Sequence, residues 1–245
     1  VKGNQLKPST IRFIKKHNCT QLISWSPDDM FAKHNRSLFY KWNLKHYDLV
    51  VTTKSYNCNQ DELPFLGAKK ILFQNQAYLP SIHKPSQNCN AVKAKHDVVF
   101  LGTAEKDRFE MMNHAAKQGV VIHIYGSAWD KEYYRDNAHP NLFFHYKALF
   151  GTDYAESISC SKISLGFLRK QNRDLQTTRT IEIPACQGFM LAERTDEQKM
   201  LFAENKEAEF FSTKEELVEK IRYYLTNDKA REEIALAGRK RCEQS

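Results

Sequence analysis

The chain has 245 residues, 41% of them hydrophobic and 27% charged, with a formal net charge of +8. At ~100–150 residues per domain, that length accommodates two modest packed domains, and the composition excludes wholesale disorder. No run approaches the ~18 apolar residues of a membrane span and no signal-peptide pattern stands at the amino end, so the expectation is a soluble, cytoplasmic protein in at most peripheral contact with the inner face of a membrane.

Taken in order, the apolar runs alternate between strand and helix lengths. Ser9 and Thr10 can cap a helix through Ile11, Phe13 and Ile14. Leu22-Ile23-Ser24-Trp25 reads as a strand that ends in the polar turn Ser26-Pro27-Asp28-Asp29. A helix over 37–46, a strand over 48–53, a helix over 60–66 stopped by Gly67 and a strand over 70–73 follow. Because the chain opens at Val1 with a loop that runs straight into a helix, the opening strands of this first domain are expected upstream.

Residues 80–95 interrupt the rhythm with prolines and polar side chains and read as a linker, giving domains over 1–90 and 91–245. The pattern then restarts with strands over 97–101, 120–125, 142–145, 163–167, 189–191 and 209–211. Helices are expected over 105–117, 153–159 and 178–186, and the chain closes on helices over 214–225, capped by Thr213, and 228–242. Strands alternating with helices predict parallel sheets covered on both faces. The fold class is therefore α/β, with two Rossmann-like doubly wound domains whose ligands bind beyond the carboxyl ends of the strands.

The six cysteines (Cys19, Cys58, Cys89, Cys160, Cys186, Cys242) form no CxxC pair and have no histidine at ligand spacing. That points to free thiols in a reducing compartment, with neither a disulfide frame nor a zinc site. The positive charge favours an anionic partner, yet the aromatic residues sit within apolar strand and helix patterns. They are not interleaved with Lys and Arg as stacking platforms for nucleic acid would be, so nucleic acid is not the expected partner.

Two glycine turns, Gly102-Thr103 and Gly126-Ser127, follow strands and let backbone amides approach a phosphate or a base. There is no GxGxxG and no Walker loop, which argues against a dehydrogenase or a P-loop enzyme. The segment 165–194 carries Arg169, Lys170, Arg173 and Asp174 in a polar loop, Thr177 or Thr178 at a helix start, and Arg179 and Glu182 within that helix. Cations beside free amides at a helix start make a diphosphate site. Glu182 has the wrong sign for a phosphate neighbour and suits the hydroxyls of a ribose. In the first domain, Asp28 and Asp29 at a strand end are placed to orient or deprotonate an acceptor hydroxyl, or to cap the turn after Pro27.

The run Thr178-Arg179-Thr180-Ile181-Glu182-Ile183-Pro184-Ala185-Cys186-Gln187-Gly188-Phe189-Met190-Leu191 resembles the carboxyl-domain signature of spore-maturation-type (CgeB-like) glycosyltransferases. The tail from Phe210-Phe211-Ser212 through Ile221-Arg222-Tyr223-Tyr224-Leu225 to Gly238 resembles that family as well. The resemblance implies the two-domain GT-B fold of the group 1 retaining enzymes and a nucleotide-sugar donor site in the second domain. It puts the ribose-binding acidic residue on Glu182, its upstream counterpart on Asp174 in place of the usual Glu, the glycine loop on Gly102-Thr103, and the diphosphate-holding cations among Arg179, Lys147 and Arg169. It implies transfer to a glycan or lipid-linked acceptor in surface polysaccharide synthesis, with no metal and no cofactor beyond the donor. Two other readings keep the fold: a nucleotide-sugar epimerase, which needs an acid–base carboxylate pair in the donor cleft, and a non-catalytic module for an anionic partner.

Overall fold

The computed structural model describes residues 3–17, 21–89 and 94–244. Cys19 and the expected domain junction between Asn90 and Ala91 lie outside them. The chain forms two compact units: Val1–Gln76 with Arg169–Leu175, and Ala77–Leu168 with Gln176–Ser245. The change of unit thus falls between Gln76 and Ala77, well before residue 90, because 77–89 packs on the second unit. Tyr78 donates to the Cys242 carbonyl at 3.2 Å, the Ser86 amide to Ser159 Oγ at 3.2 Å, and Cys89 is disulfide-bonded to Cys160. That bond corrects the expectation of free thiols for this pair, two cysteines 71 residues apart whose proximity no local spacing reveals. Cys58, Cys186 and Cys242 are free.

The first unit carries α1 (Pro8–His17), β1 (Ile23–Ser26), α2 (Leu38–Asn43), β2 (Leu49–Thr52) and β3 (Ile71–Phe73). The strands form a parallel sheet in the order β1-β2-β3 over a core of Ile11, Met30, Tyr40, Leu44, Val50 and Leu63. Residues 60–66, expected to be helical, are successive turns preceded by a 3₁₀ turn at Ser55–Cys58. Pro64 interrupts the run, and proline is disfavoured inside a helix.

The second unit holds β4 (Val98–Leu101), α3 (Lys106–Lys117), β5 (Ile122–Tyr125), α4 (Glu132–Asn137), β6 (Leu142–Phe144), α5 (Gly151–Ser159), β7 (Ile163–Gly166), α6 (Thr178–Ala185), β8 (Met190–Glu193), α7 (Asp196–Leu201), β9 (Glu209–Phe211), α8 (Lys214–Thr226) and α9 (Asp228–Glu243). Every residue of β4 and β7 is buried, as the interior of a doubly covered parallel sheet requires. Apolar residues alternate between two clusters, one on each face: Val98 and Phe100 in one, Val99 and Leu101 in the other. The order β6-β5-β4-β7-β8-β9 reverses direction between β4 and β7, and a doubly wound sheet opens a ligand crevice at the carboxyl ends of strands flanking such a switch. Thr213 caps α8 through the Glu216 amide as expected, whereas Glu216 itself turns to Arg194 and the Ser212 amide. No helix among the described residues is long and apolar enough to cross a membrane.

Candidate functional site

A cavity of about 330 Å³ opens at the carboxyl ends of β4 and β5. Its floor is the pair of glycine turns. Gly126 sits at φ +151, and a Cβ there would fall 1.9 Å from the Gly102 carbonyl oxygen, so close approach of the two turns requires glycine. The Gly102 amide donates to the Tyr125 carbonyl, the Ala104 amide to the Ser127 carbonyl, and the Gly126 amide to the Lys147 carbonyl. Trp129 is buried and fastens the arrangement by donating Nε1–H to the Gly102 carbonyl at 2.8 Å. Thr103 and Ser127 hydroxyls meet at 3.2 Å over this floor.

Two helices bring their amino ends to the cavity. Phe150 and Gly151 line it at the start of α5, whose N-cap makes no side-chain cap bond. Thr178 and Arg179 line it at the start of α6, which Thr177 and Thr180 close with a reciprocal capping box. Helix amino ends present amides and partial positive charge and thus favour an anion. Arg179 donates Nε–H to the Leu101 carbonyl, and its Nη2 lies 3.0 Å from where a Cβ on Gly102 would stand. The guanidinium is therefore held against the first glycine turn.

Glu182 follows one turn into α6 on the cavity wall. Tyr154, on α5, donates its hydroxyl to Glu182 Oε2 at 2.8 Å. Burial, then the Glu182 charge, push the Tyr154 phenol well above its ordinary range, so it stays a donor. His83 Nε2 stands 3.7 Å from Glu182 Oε1, while its Nδ1 accepts the Leu79 amide. In the neutral imidazole that bond leaves the proton on Nε2, facing the carboxylate. The wall thus offers a positioned carboxylate next to a cationic, amide-rich corner.

Of the expected donor-site residues, Gly102, Thr103, Gly126, Ser127, Thr178, Arg179 and Glu182 line this cavity. Lys147, Arg169, Asp174 and Thr177 do not. Lys147 contributes its carbonyl to the Gly126 turn, and Thr177 is the α6 cap. Arg169 and Asp174 belong to the segment that folds with the first unit. There Asp174 is ion-paired to Lys54 at 2.6 Å and accepts from Asn172 at 2.7 Å, both side chains being almost fully buried in the pair. Asp29 is fully buried as well. It accepts from Arg173 Nε at 2.7 Å, from Asn57 at 3.0 Å and from the Phe31 amide at 3.1 Å, and Arg173 also bridges Glu62. Burial raises the Asp29 carboxyl, but the bonds and charge of Arg173, with Asn57, outweigh it and hold it below its ordinary value. The expected base role of Asp29 gives way to anchoring: a carboxylate with both oxygens engaged and no exposure cannot take a proton from an acceptor. Asp28 stays partly exposed at the β1 turn.

Sequence reasoning missed His83, Tyr154, Leu149 and Phe150 on the cavity wall. His83 sits in what reads as a linker, and Tyr154 reads as one more apolar helix position; only the tertiary pairing with Glu182 gives either a role.

Comparison with known proteins bears on the family and the fold. A family profile described as Glycosyl transferase-like matches residues 108–245. No curated protein sequence matches the chain. Among solved structures, TarM, known from S. aureus, aligns at TM-score 0.67 and 15% identity over 94% of this chain and 48% of its own. Sucrose-phosphate synthase from Thermosynechococcus elongatus aligns at TM-score 0.68 and 13% identity over 96% of this chain and 66% of its own. Anabaena HepE in complex with UDP-glucose aligns at TM-score 0.68 and 11% identity over 95% of this chain and 69% of its own. At such identities the likeness concerns the fold, and the chain spans about half to two thirds of the length of these proteins. With its cavity-bearing second unit covered by that profile over more than half of its residues, the chain belongs to the glycosyl transferase-like family.

Proposed function

We propose that the protein moves a sugar from a nucleotide-diphosphate donor to an acceptor hydroxyl on a glycan or lipid-linked carrier, in surface polysaccharide synthesis. The observation that carries this reading is the single cavity wall on which Arg179, the amino ends of α5 and α6, and the Tyr154-held Glu182 converge. The diphosphate lies against Arg179 and the helix amides, and the ribose hydroxyls bond Glu182. The base enters beside the Gly126 turn and Leu149-Phe150. The leaving diphosphate gains negative charge as the glycosidic bond breaks, so a fixed cation and oriented amides act on charge that develops in the transition state. In this reading they do so without a metal, and configuration is retained, as in the group 1 enzymes that the chain resembles. The 178–191 signature supports a place in the CgeB-like branch. HepE, solved with UDP-glucose, supports a uridine donor. Asp28 is the first-unit carboxylate assigned to the acceptor. Among the described residues three thiols are free, two of them buried, which supports a reducing, cytoplasmic setting in which Cys89–Cys160 is the exception.

Calorimetric titration with UDP, GDP, ADP, CDP and dTDP tests the proposal, on wild type and on Glu182→Ala. Selective binding of one diphosphate, weakened about 10-fold or more by the substitution, is expected for loss of a hydrogen bond to a charged group. Equal binding of wild type and variant, or no binding by folded protein, refutes it.

A further inference from the structure

Beside the donor cavity, β6, β5 and β4 bring three histidines to one face of the sheet. His123 pairs with Val99 on one side and Phe143 on the other. Side chains two apart along a strand share a face, so Tyr125 joins His123 and His145 joins Phe143 there. His96, just before β4, completes the group. The rings form a ladder. His96 stacks on His123 at 4.0 Å between centroids, His145 lies parallel to Tyr125 at 4.0 Å, and Phe143 covers His123 at 5.1 Å. His123 Nδ1 and His145 Nε2 are 3.1 Å apart, and one nitrogen of each of the three rings lies within 4.8 Å of the others. All three imidazoles are partly buried, with access from solvent.

We propose that His96, His123 and His145 form a binding site for a divalent transition-metal ion of the zinc class, which ties together three neighbouring strands. A tetrahedral ion with metal–nitrogen bonds of about 2.0–2.1 Å needs ligand nitrogens about 3.3 Å apart. The His123–His145 pair already stands at that spacing. Lone pairs lie in the ring plane, so stacked rings do not aim at one point. His96 must turn out of its stack and exchange its 3.0 Å contact with the Tyr125 hydroxyl for the ion. An all-imidazole set selects zinc, nickel, cobalt or copper over calcium or magnesium, which require oxygen ligands. The nearby Asp97 carboxylate is ion-paired to Lys162 at 2.8 Å and offers no such ligand. Tyr125 lines the donor cavity and touches this group, but Arg179 and Glu182 take no part in it. The site therefore stands independently of the glycosyl-transfer reading.

Chelator-treated protein titrated with ZnCl₂, with MgCl₂ as control, tests the proposal on wild type, His123→Phe and His145→Phe, which keep an aromatic ring in the ladder. One zinc per chain is expected, weakened about 100-fold in each variant by loss of a ligand, with no magnesium binding. Zinc affinity equal in wild type and variants, or absent from wild type, overturns the proposal, since the first outcome assigns the ion to other groups such as the free thiols. Should the variants fail to fold, pulsed electron paramagnetic resonance of Cu²⁺-loaded wild type counts coupled imidazole nitrogens. Three support the site, and fewer than three overturn it.

Discussion

Gly126→Ala probes the floor of the donor cavity directly. A Cβ at this position would stand 1.9 Å from the Gly102 carbonyl oxygen, where ordinary contact begins at 3.4 Å, and the backbone at φ +151 is one that side chains rarely adopt. The strained conformation costs about 1–3 kcal/mol. Relief of the clash requires moving the Gly102 carbonyl, which the Trp129 indole holds at 2.8 Å, and loss of that bond adds about 1 kcal/mol. The expected destabilisation is therefore about 2–4 kcal/mol, which for a unit of this size lowers Tm by roughly 5–15 °C. Gly119→Ala is the matched control: φ is +91 there, but nothing lies within 4 Å of the added Cβ, so only the conformational cost applies. Thermal unfolding followed by circular dichroism reads both variants. A Gly126→Ala protein that melts with wild type, or no lower than Gly119→Ala, would refute the claim that the two turns interlock.

Other substitutions separate the parts of the site. Arg179→Met should weaken nucleoside diphosphate binding about 10–100-fold while leaving a nucleoside nearly unaffected, because the lost bonds are charge-assisted ones to phosphate; calorimetry with both ligands decides it. Tyr154→Phe removes the hydroxyl that holds Glu182 and should weaken diphosphate binding about 3–10-fold with little change in Tm, whereas unchanged affinity would mean that Glu182 is positioned without it. Arg173→Met leaves the Asp29 and Glu62 carboxylates without their cation and should destabilise the first unit by about 2–4 kcal/mol, read by urea unfolding. Since the folded Asp29 carboxyl lies below its ordinary 3.8, its contribution is present above that pH and is lost as the pH falls through the lower folded value; acid unfolding of Arg173→Met should begin from a lower plateau with a shallower dependence on pH. Reduction of Cys89–Cys160, which closes a 71-residue separation, should cost about 2–4 kcal/mol of stability, measured by unfolding with and without reductant.

Much of this molecule is local and therefore readable along the chain. The wholly apolar run of β4 and the run of β7, apolar but for Ser164, read as strands buried on both faces, and the Thr213 cap marks the start of α8. Gly102, Gly126, Arg179 and Glu182 were legible because strand-end glycines and a charged residue inside an apolar helix are violations of local preference that call for a partner. Periodicity and spacing carry no information on where chain segments far apart in sequence meet. Asp174 keeps the expected spacing from Glu182, yet its loop folds with the first unit because Lys54 pairs with Asp174, and Asp29 bonds both Asn172 and Arg173 of that loop, across more than a hundred residues. Asp29 reads as an exposed strand-end carboxylate until Arg173 and Asn57 bury it. Likewise the Cys89–Cys160 bond, the Tyr154–Glu182–His83 wall and the gathering of His96, His123 and His145 exist only through the parallel sheet, whose crossovers bring residues tens of positions apart within a few ångströms. Sequence alone determined most of the elements and the chemistry on offer; tertiary packing decided which charged groups are consumed in holding the fold and which remain at the cavity, because a buried charge must find its partner wherever the topology delivers one.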